Sequence, residues 1–103
     1  MVSKFLEKRI EIVMQEIPEN PGNALELEYY LVESDSDYNE GINAGNEYGV
    51  EIMKKERGFI KESKMFKGIY ASRETIENFI GKLVVNKVTP VTLSYILDDI
   101  LGV

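Results

Sequence analysis

Apolar and polar residues alternate along the first two thirds of the chain, which is typical of strands with one buried face. In residues 4–16 the alternating apolar positions are Leu6, Ile10, Ile12 and Met14. The same stretch also has apolar residues at helical spacing, and it follows Ser3, which is of a residue type that caps helices. A helix is therefore the alternative for this segment. The clearest strand follows a Pro- and Gly-containing turn at residues 18–23, and its inward positions are Leu25, Leu27, Tyr29 and Leu31.

The alternation resumes at Tyr48, Val50 and Ile52 after a polar stretch, residues 34–46, that predicts an exposed loop. A hairpin turn at residues 56–58 then leads into a fourth strand over residues 59–70. Its pattern is weaker, and the cations at three of its positions suit an edge strand that is protected from further pairing. These cations are Lys61, Lys64 and Lys67.

The last third of the chain has helical periodicity in two segments. Ser72 can cap a first helix, and Thr89 followed by Pro90 can begin a second one. The apolar stripes are Ile76, Phe79, Ile80, Leu83 and Val84 in the first helix, and Leu93, Ile96, Leu97, Ile100 and Leu101 in the second. We therefore predict an α+β fold, a four-stranded antiparallel β-meander followed by two short C-terminal α-helices packed on one face.

The length and composition restrict the class of protein. A chain of 103 residues with 44% apolar residues predicts a single globular domain over residues 1–103. No apolar run is long enough to span a bilayer and the chain begins with charged sequence, so we expect a cytoplasmic protein without membrane contact. Because there is no His and no Cys, the common hydrolytic triads and standard zinc sites are excluded, and we expect a non-enzymatic protein without a cofactor.

The charge is strongly segregated along the chain. Residues 10–53 contain eleven acidic residues and no Lys or Arg, whereas residues 54–87 contain nine basic residues and four acidic ones. Direct nucleic-acid binding needs cations on the contact surface, so this distribution argues against it. An acidic surface suits a partner protein with a basic surface, although acidic residues also simply keep small proteins soluble.

The candidate partner-binding surface consists of acidic and aromatic residues of the second strand, the following loop and the third strand. An aromatic side chain among acidic ones can form a contact surface, and the alternative is a tyrosine that is merely exposed. The candidate residues are Glu26, Glu28, Tyr30, Glu33, Asp35, Asp37, Tyr38 and Glu51. This hypothesis describes a small regulator or inhibitor, in one version a phage- or mobile-element-type mimic of nucleic-acid charge; a structural homo-oligomer, such as a homodimer, is the alternative.

The loop also begins like a calcium loop, with acidic or amide side chains at alternate positions. The four oxygen donors are Asp35, Asp37, Asn39 and Glu40. The match then fails, because the sixth position is not glycine and the twelfth, Asn46, is not a bidentate Glu. Calcium or small-ligand binding by residues 34–46 therefore stays an alternative to protein binding.

Asp98 and Asp99 lie in the last turns of the second helix, where negative charge is unfavourable. We predict that at least one of them pairs with a cation, with Lys82 and Lys87 nearest in the sequence, or else contacts a partner.

Three short segments resemble a family of short uncharacterised proteins from clostridia and related Firmicutes. They are residues 27–33 (Leu-Glu-Tyr-Tyr-Leu-Val-Glu), residues 48–52 (Tyr-Gly-Val-Glu-Ile) and residues 86–93 (Asn-Lys-Val-Thr-Pro-Val-Thr-Leu). The resemblance covers about residues 24–102. It implies an origin among these bacteria, and it assigns no catalytic residue.

Overall fold

The computed structural model describes residues 2–13, 24–35 and 46–101. Its elements are β1 (Val2–Val13), β2 (Ala24–Asp35), β3 (Asn46–Glu56), β4 (Phe59–Tyr70), α1 (Arg73–Val85) and α2 (Pro90–Leu101). The strands form one antiparallel sheet in the order β1-β2-β3-β4. The predicted meander followed by two helices is therefore confirmed, and the helical alternative for the first segment is wrong.

The predicted hairpin turn joins β3 to β4 through Arg57 and Gly58. Both residues have positive φ, 53° and 83°, as a two-residue turn between twisted strands requires. The predicted edge position of β4 is also confirmed. Its weak alternation has a structural cause, because the register with β3 shifts at two places along the strand. Each shift inserts extra residues into β4 and so interrupts the period of two.

Gly49 lies beside one of these shifts, where the backbone of β4 crosses very close to β3. A Cβ atom at this position would overlap the carbonyl oxygen of Phe66. The residue type is therefore fixed by the close approach of two backbones.

A bulge in β1 corrects one part of the predicted pattern. Leu6 pairs with Tyr30 and Lys8 pairs with Tyr29, so Glu7 is an extra residue between them. An extra residue turns the side chains that follow it to the opposite face of the sheet. Ile10 and Ile12 face the core as predicted, but Leu6 faces the other side and is 49% exposed.

Both helices cover the same face of the sheet. Ser72 caps α1 by accepting a hydrogen bond from the backbone N–H of Thr75, and Thr89 accepts one from the N–H of Thr92 at the start of α2. The core between the helices and the sheet contains Leu27, Tyr29, Leu31, Val50, Ile52, Ile76, Ile80, Leu83, Val88, Leu93 and Leu97. Phe79, Val84 and Ile96 are partly buried against it, while the side chains at 100 and 101 lie outside the described part.

Tyr29 connects the sheet to the segment between the helices. Its ring is fully buried, and its hydroxyl donates a hydrogen bond of 2.8 Å to the carbonyl oxygen of Val88. Burial raises the pKa of Tyr29 to about 12. The predicted structural role of Tyr29 is therefore confirmed.

The outer surfaces of the helices are open within the described ranges. A Cβ atom at Gly81 would meet nothing within 4 Å, and Val85 is 80% exposed.

Asp98 and Asp99 are exposed, and neither forms an ion pair with Lys82, Lys87 or another cation of the described part. The predicted pairing within the chain is therefore wrong, because α2 presents both carboxylates to solvent. No helix in these ranges is long and apolar enough to cross a membrane.

Candidate functional site

The side of the sheet that carries no helix is the candidate site, and we call it the helix-free face. Strand side chains alternate between the two sides of a sheet, so the neighbours of the core residues point away from the helices. The register places Leu6, Tyr30, Glu51 and Met65 in one row across all four strands. The next row contains Arg9, Glu28, Met53 and Ser63, and the one after it contains Glu11, Glu26, Lys55 and Ile60.

Glu28 is the centre of a polar network on this face. Its side chain is only 1% exposed, although it carries a charge. One carboxylate oxygen accepts a hydrogen bond of 3.0 Å from Arg9, and the other lies 3.0 Å from the Lys55 ammonium and accepts 2.7 Å from the Tyr30 hydroxyl. A buried carboxylate is stable only when its oxygens are satisfied in this way.

A second buried carboxylate, Glu51, extends the network into the row that contains Tyr30. Lys4 donates a hydrogen bond of 2.7 Å to Glu51, whose side chain is 8% exposed. The same ammonium group lies 5.2 Å from the centroid of the Tyr30 ring, within the range of a cation–π contact. Tyr30 therefore connects both carboxylates, because its hydroxyl binds one and its ring attracts the cation that binds the other.

The network shifts two pKa values. Burial alone would raise the pKa of Glu28, but the hydrogen bonds from Tyr30, Lys55 and Arg9 and the charge of Lys55 lower it below its ordinary value. The hydrogen bond to Glu28, together with burial, raises the pKa of Tyr30 to about 12. Glu28 is thus ionised and Tyr30 is protonated at neutral pH, so neither is adapted to exchange a proton there.

Exposed apolar side chains lie at both edges of the row that contains Tyr30. Leu6 on β1 is 49% exposed and Met65 on β4 is 39% exposed. Between them the surface consists of the Tyr30 ring and the paired cations. Exposed apolar side chains beside polar groups that are already satisfied can form part of a protein contact surface.

Acidic side chains remain in excess on the helix-free face. Glu11 and Glu26 are cross-strand partners, and like charges in directly opposed positions destabilise a sheet. Arg9 lies 4.0 Å from Glu26 but only 3.0 Å from Glu28, so its charge serves mainly the buried carboxylate. Glu11 has no ion pair within the described ranges.

The residues predicted to bind a partner do not all lie together. Glu26, Glu28, Tyr30 and Glu51 share the helix-free face, but Glu28 and Glu51 are buried and paired. Glu33 and Asp35 follow the parity of the core residues, so their side chains point to the helix side of the sheet. Glu33 accepts a hydrogen bond of 3.1 Å from Asn46.

The other predicted positions of the loop, Asp37, Tyr38, Asn39 and Glu40, lie outside the described residues. Within the described ranges, no group of three or more His, Cys, Asp or Glu side chains could hold a metal ion.

Several residues of this face were missed by the sequence analysis. Lys4, Arg9 and Lys55 come from β1 and β3, on either side of the acidic strand. Val32 lies between the core residues of β2 and therefore points to the helix-free face, yet its side chain is fully buried. One signal in the sequence was available, since cations that flank an acidic strand in a meander can form cross-strand ion pairs.

Comparison with known proteins identifies a family. The model of a family of unknown function (DUF6514) matches residues 8–103, which covers the sheet from the bulge of β1 onwards and both helices. Neither a curated protein nor a solved structure matches the chain. The chain therefore belongs to DUF6514, a family of unknown function.

Proposed function

We propose that the chain is a small non-enzymatic regulator that binds another protein through its helix-free face. The observation that carries this proposal is the row in which the half-exposed Leu6 and Met65 flank Tyr30 and the buried, paired Glu51. A partner that covers this row removes apolar surface from water. It does so without breaking the ion pairs beneath, because their oxygens are already satisfied from within the chain.

The ion network favours binding because it holds the surface in one conformation. Glu28 and Glu51 fix the side chains of Lys4, Arg9, Tyr30 and Lys55 by direct contacts. Side chains that are already fixed lose little conformational entropy on association, which is one of the main costs of forming an interface. The network therefore supports binding even though its own charges are neutralised.

The partner surface that fits is apolar where it meets Leu6 and Met65 and basic where it meets Glu11 and Glu26. The opposed carboxylates Glu11 and Glu26 repel each other in the free protein, and a cation of the partner would relieve that repulsion. Because Glu28 and Glu51 are already neutralised, we propose mixed apolar and ionic docking and not mimicry of nucleic-acid charge. In line with the resemblance noted in the sequence, we propose a host among the clostridia and related Firmicutes and a site of action in the cytoplasm.

The experiment is an affinity capture from lysate of such a host, followed by mass spectrometry, with three forms of the protein. The first form is the wild type, and the second carries Leu6→Lys and Met65→Lys on the helix-free face. The control carries Val85→Lys and Val91→Lys, which make the same chemical change at exposed positions of α1 and α2. Circular dichroism establishes that all three forms are folded to the same extent.

We expect the wild type and the control to recover the same protein, and the face variant to lose it. The recovered protein should bind more weakly at high salt, because part of the contact is ionic. If the face variant recovers the protein as well as the wild type does, the helix-free face is not the binding surface. If affinity is the same at low and high salt, the ionic part of the proposal is wrong.

A further inference from the structure

The hairpin between β3 and β4 ends in two adjacent apolar side chains that are largely exposed. Phe59 is 71% exposed and Ile60 is 57% exposed, and both follow directly after the two-residue turn at Arg57 and Gly58. Large apolar side chains that stay exposed next to each other at the end of a hairpin commonly mark a contact with another molecule or a membrane. Neither residue belongs to the core or to the ion network.

The two side chains point to opposite sides of the hairpin. Phe59 pairs with Glu56, which lies on the helix side opposite Leu25, and Ile60 pairs with Lys55, which lies on the helix-free face. A flat protein surface can cover only one side of a hairpin. A medium that surrounds the end of the hairpin covers both, and the interfacial region of a lipid bilayer is such a medium.

The segment around this end is basic in an otherwise acidic protein. Residues 54–67 contain six cations and two carboxylates, a net charge of +4, whereas the whole chain has a net charge of −6. Lys54 and Lys55 are engaged by Glu62 and Glu28. The lysines at 61, 64 and 67 are exposed and have no ion pair within the described ranges.

From this placement we propose that the end of the β3–β4 hairpin inserts Phe59 and Ile60 into the headgroup region of a membrane that contains anionic lipid. The β4 lysines then face the negative surface, to which basic residues beside an inserted apolar group add affinity. We expected no membrane contact because no apolar run is long enough to span a bilayer, but insertion of a hairpin end needs no such run. This proposal rests on Phe59, Ile60 and the β4 lysines and does not use Leu6 or Met65, the residues that carry the protein-binding role.

The test measures binding of the purified protein to vesicles by flotation. One vesicle population contains equal parts of phosphatidylglycerol and phosphatidylcholine, and the other contains phosphatidylcholine alone. The test variant carries Phe59→Ser and Ile60→Ser, and the control carries Val85→Ser and Val91→Ser, which remove exposed apolar side chains from the helices. A further variant, Lys61→Gln with Lys64→Gln, removes charge and leaves the apolar residues in place.

We expect the wild type and the control to bind the anionic vesicles more strongly than the neutral ones. The hairpin-end variant should lose about tenfold or more of this affinity, because two large apolar groups no longer leave water. The lysine variant should bind anionic vesicles more weakly and neutral vesicles as the wild type does. Thermal unfolding identifies any variant that fails to fold, and the lysine variant then decides the test by itself.

Three outcomes would overturn the proposal. They are no binding of the wild type to anionic vesicles, equal binding to both vesicle types, and unchanged binding of the hairpin-end variant. If vesicles are not bound but the hairpin-end variant loses a protein that the wild type recovers from lysate, the hairpin end is a protein contact and not a lipid contact. Because the vesicles contain no protein, failure of this proposal is distinct from failure of the protein-binding role.

Discussion

Substitution of Glu28 tests whether the buried ion network stabilises the fold. Glu28→Gln keeps the size of the side chain but removes its charge and presents an N–H donor to a site that already contains three donor groups, those of Arg9, Lys55 and Tyr30. Hydrogen bonds to a charged group contribute about 1.5 to 3 kcal/mol each, but they are not additive here. The Arg9 side chain is 57% exposed and can turn to solvent, so we expect a total loss of about 2 to 4 kcal/mol.

The assay is urea unfolding at neutral pH, with Glu11→Gln as the matched control. Glu11 lies on the same face and is exposed without an ion pair in the described part of the chain, so its substitution should change stability by at most about 0.5 kcal/mol. If Glu28→Gln costs no more than this control at an unchanged dependence on urea, the network contributes nothing to stability and our account of the face is wrong.

The pH dependence of the same pair gives an independent check. The pKa of Glu28 in the folded protein is lower than its ordinary value of 4.5, so the folded state favours the ionised form. The stability that this group provides is present above pH 4.5 and disappears as the pH falls through the folded pKa. The difference between the wild type and Glu28→Gln should therefore be constant from pH 7 to about pH 5 and decrease below that.

Three further changes follow from the geometry. Gly49→Ala should destabilise the protein by about 3 kcal/mol or more, because the new Cβ atom overlaps a backbone carbonyl, whereas Gly81→Ala has open space around it and should stabilise α1 by about 1 kcal/mol. Denaturant unfolding of both variants checks this, and equal effects on stability would contradict it. The pKa of Tyr30 is raised from an ordinary 10.0 to about 12, so the stability that its protonated hydroxyl provides is lost as the pH rises from 10 towards 12. In a pH series of thermal melts, the melting temperature of Tyr30→Phe should therefore fall less steeply over this range than that of the wild type, and an equal slope would refute this. Asp98→Asn with Asp99→Asn should raise the melting temperature, because each aspartate costs about 0.3 to 1 kcal/mol at a helix C-terminus; a lower melting temperature would mean that the carboxylates are paired after all.

The fold could be predicted because its signals are local. Strand alternation, the turn at Arg57 and Gly58, and the caps at Ser72 and Thr89 each depend on a few neighbouring residues. The bulge at Glu7 could not be predicted in this way, since it is defined by how β1 pairs with β2. A shift of one residue is enough to move Leu6 from the predicted core to the exposed edge of the helix-free face.

The candidate site was harder to predict than the fold because its contacts join distant parts of the chain. In the sequence, Glu28 lies in the middle of a segment of more than forty residues without a cation. Antiparallel pairing places Arg9 on one side of it and Lys55 on the other. The apparent acidic surface is therefore partly neutral, and its buried carboxylates organise the face instead of being exposed on it.

The most direct test of the central claim is site-specific photo-cross-linking in living cells of the native host. A photoreactive phenylalanine analogue replaces Leu6 or Met65 at the two edges of the helix-free face, and replaces Val85 on the outer side of α1 as the control. We predict that positions 6 and 65 cross-link to the same host protein and that position 85 does not. Cross-linking of that protein from position 85 alone, or of unrelated proteins from positions 6 and 65, would contradict the account.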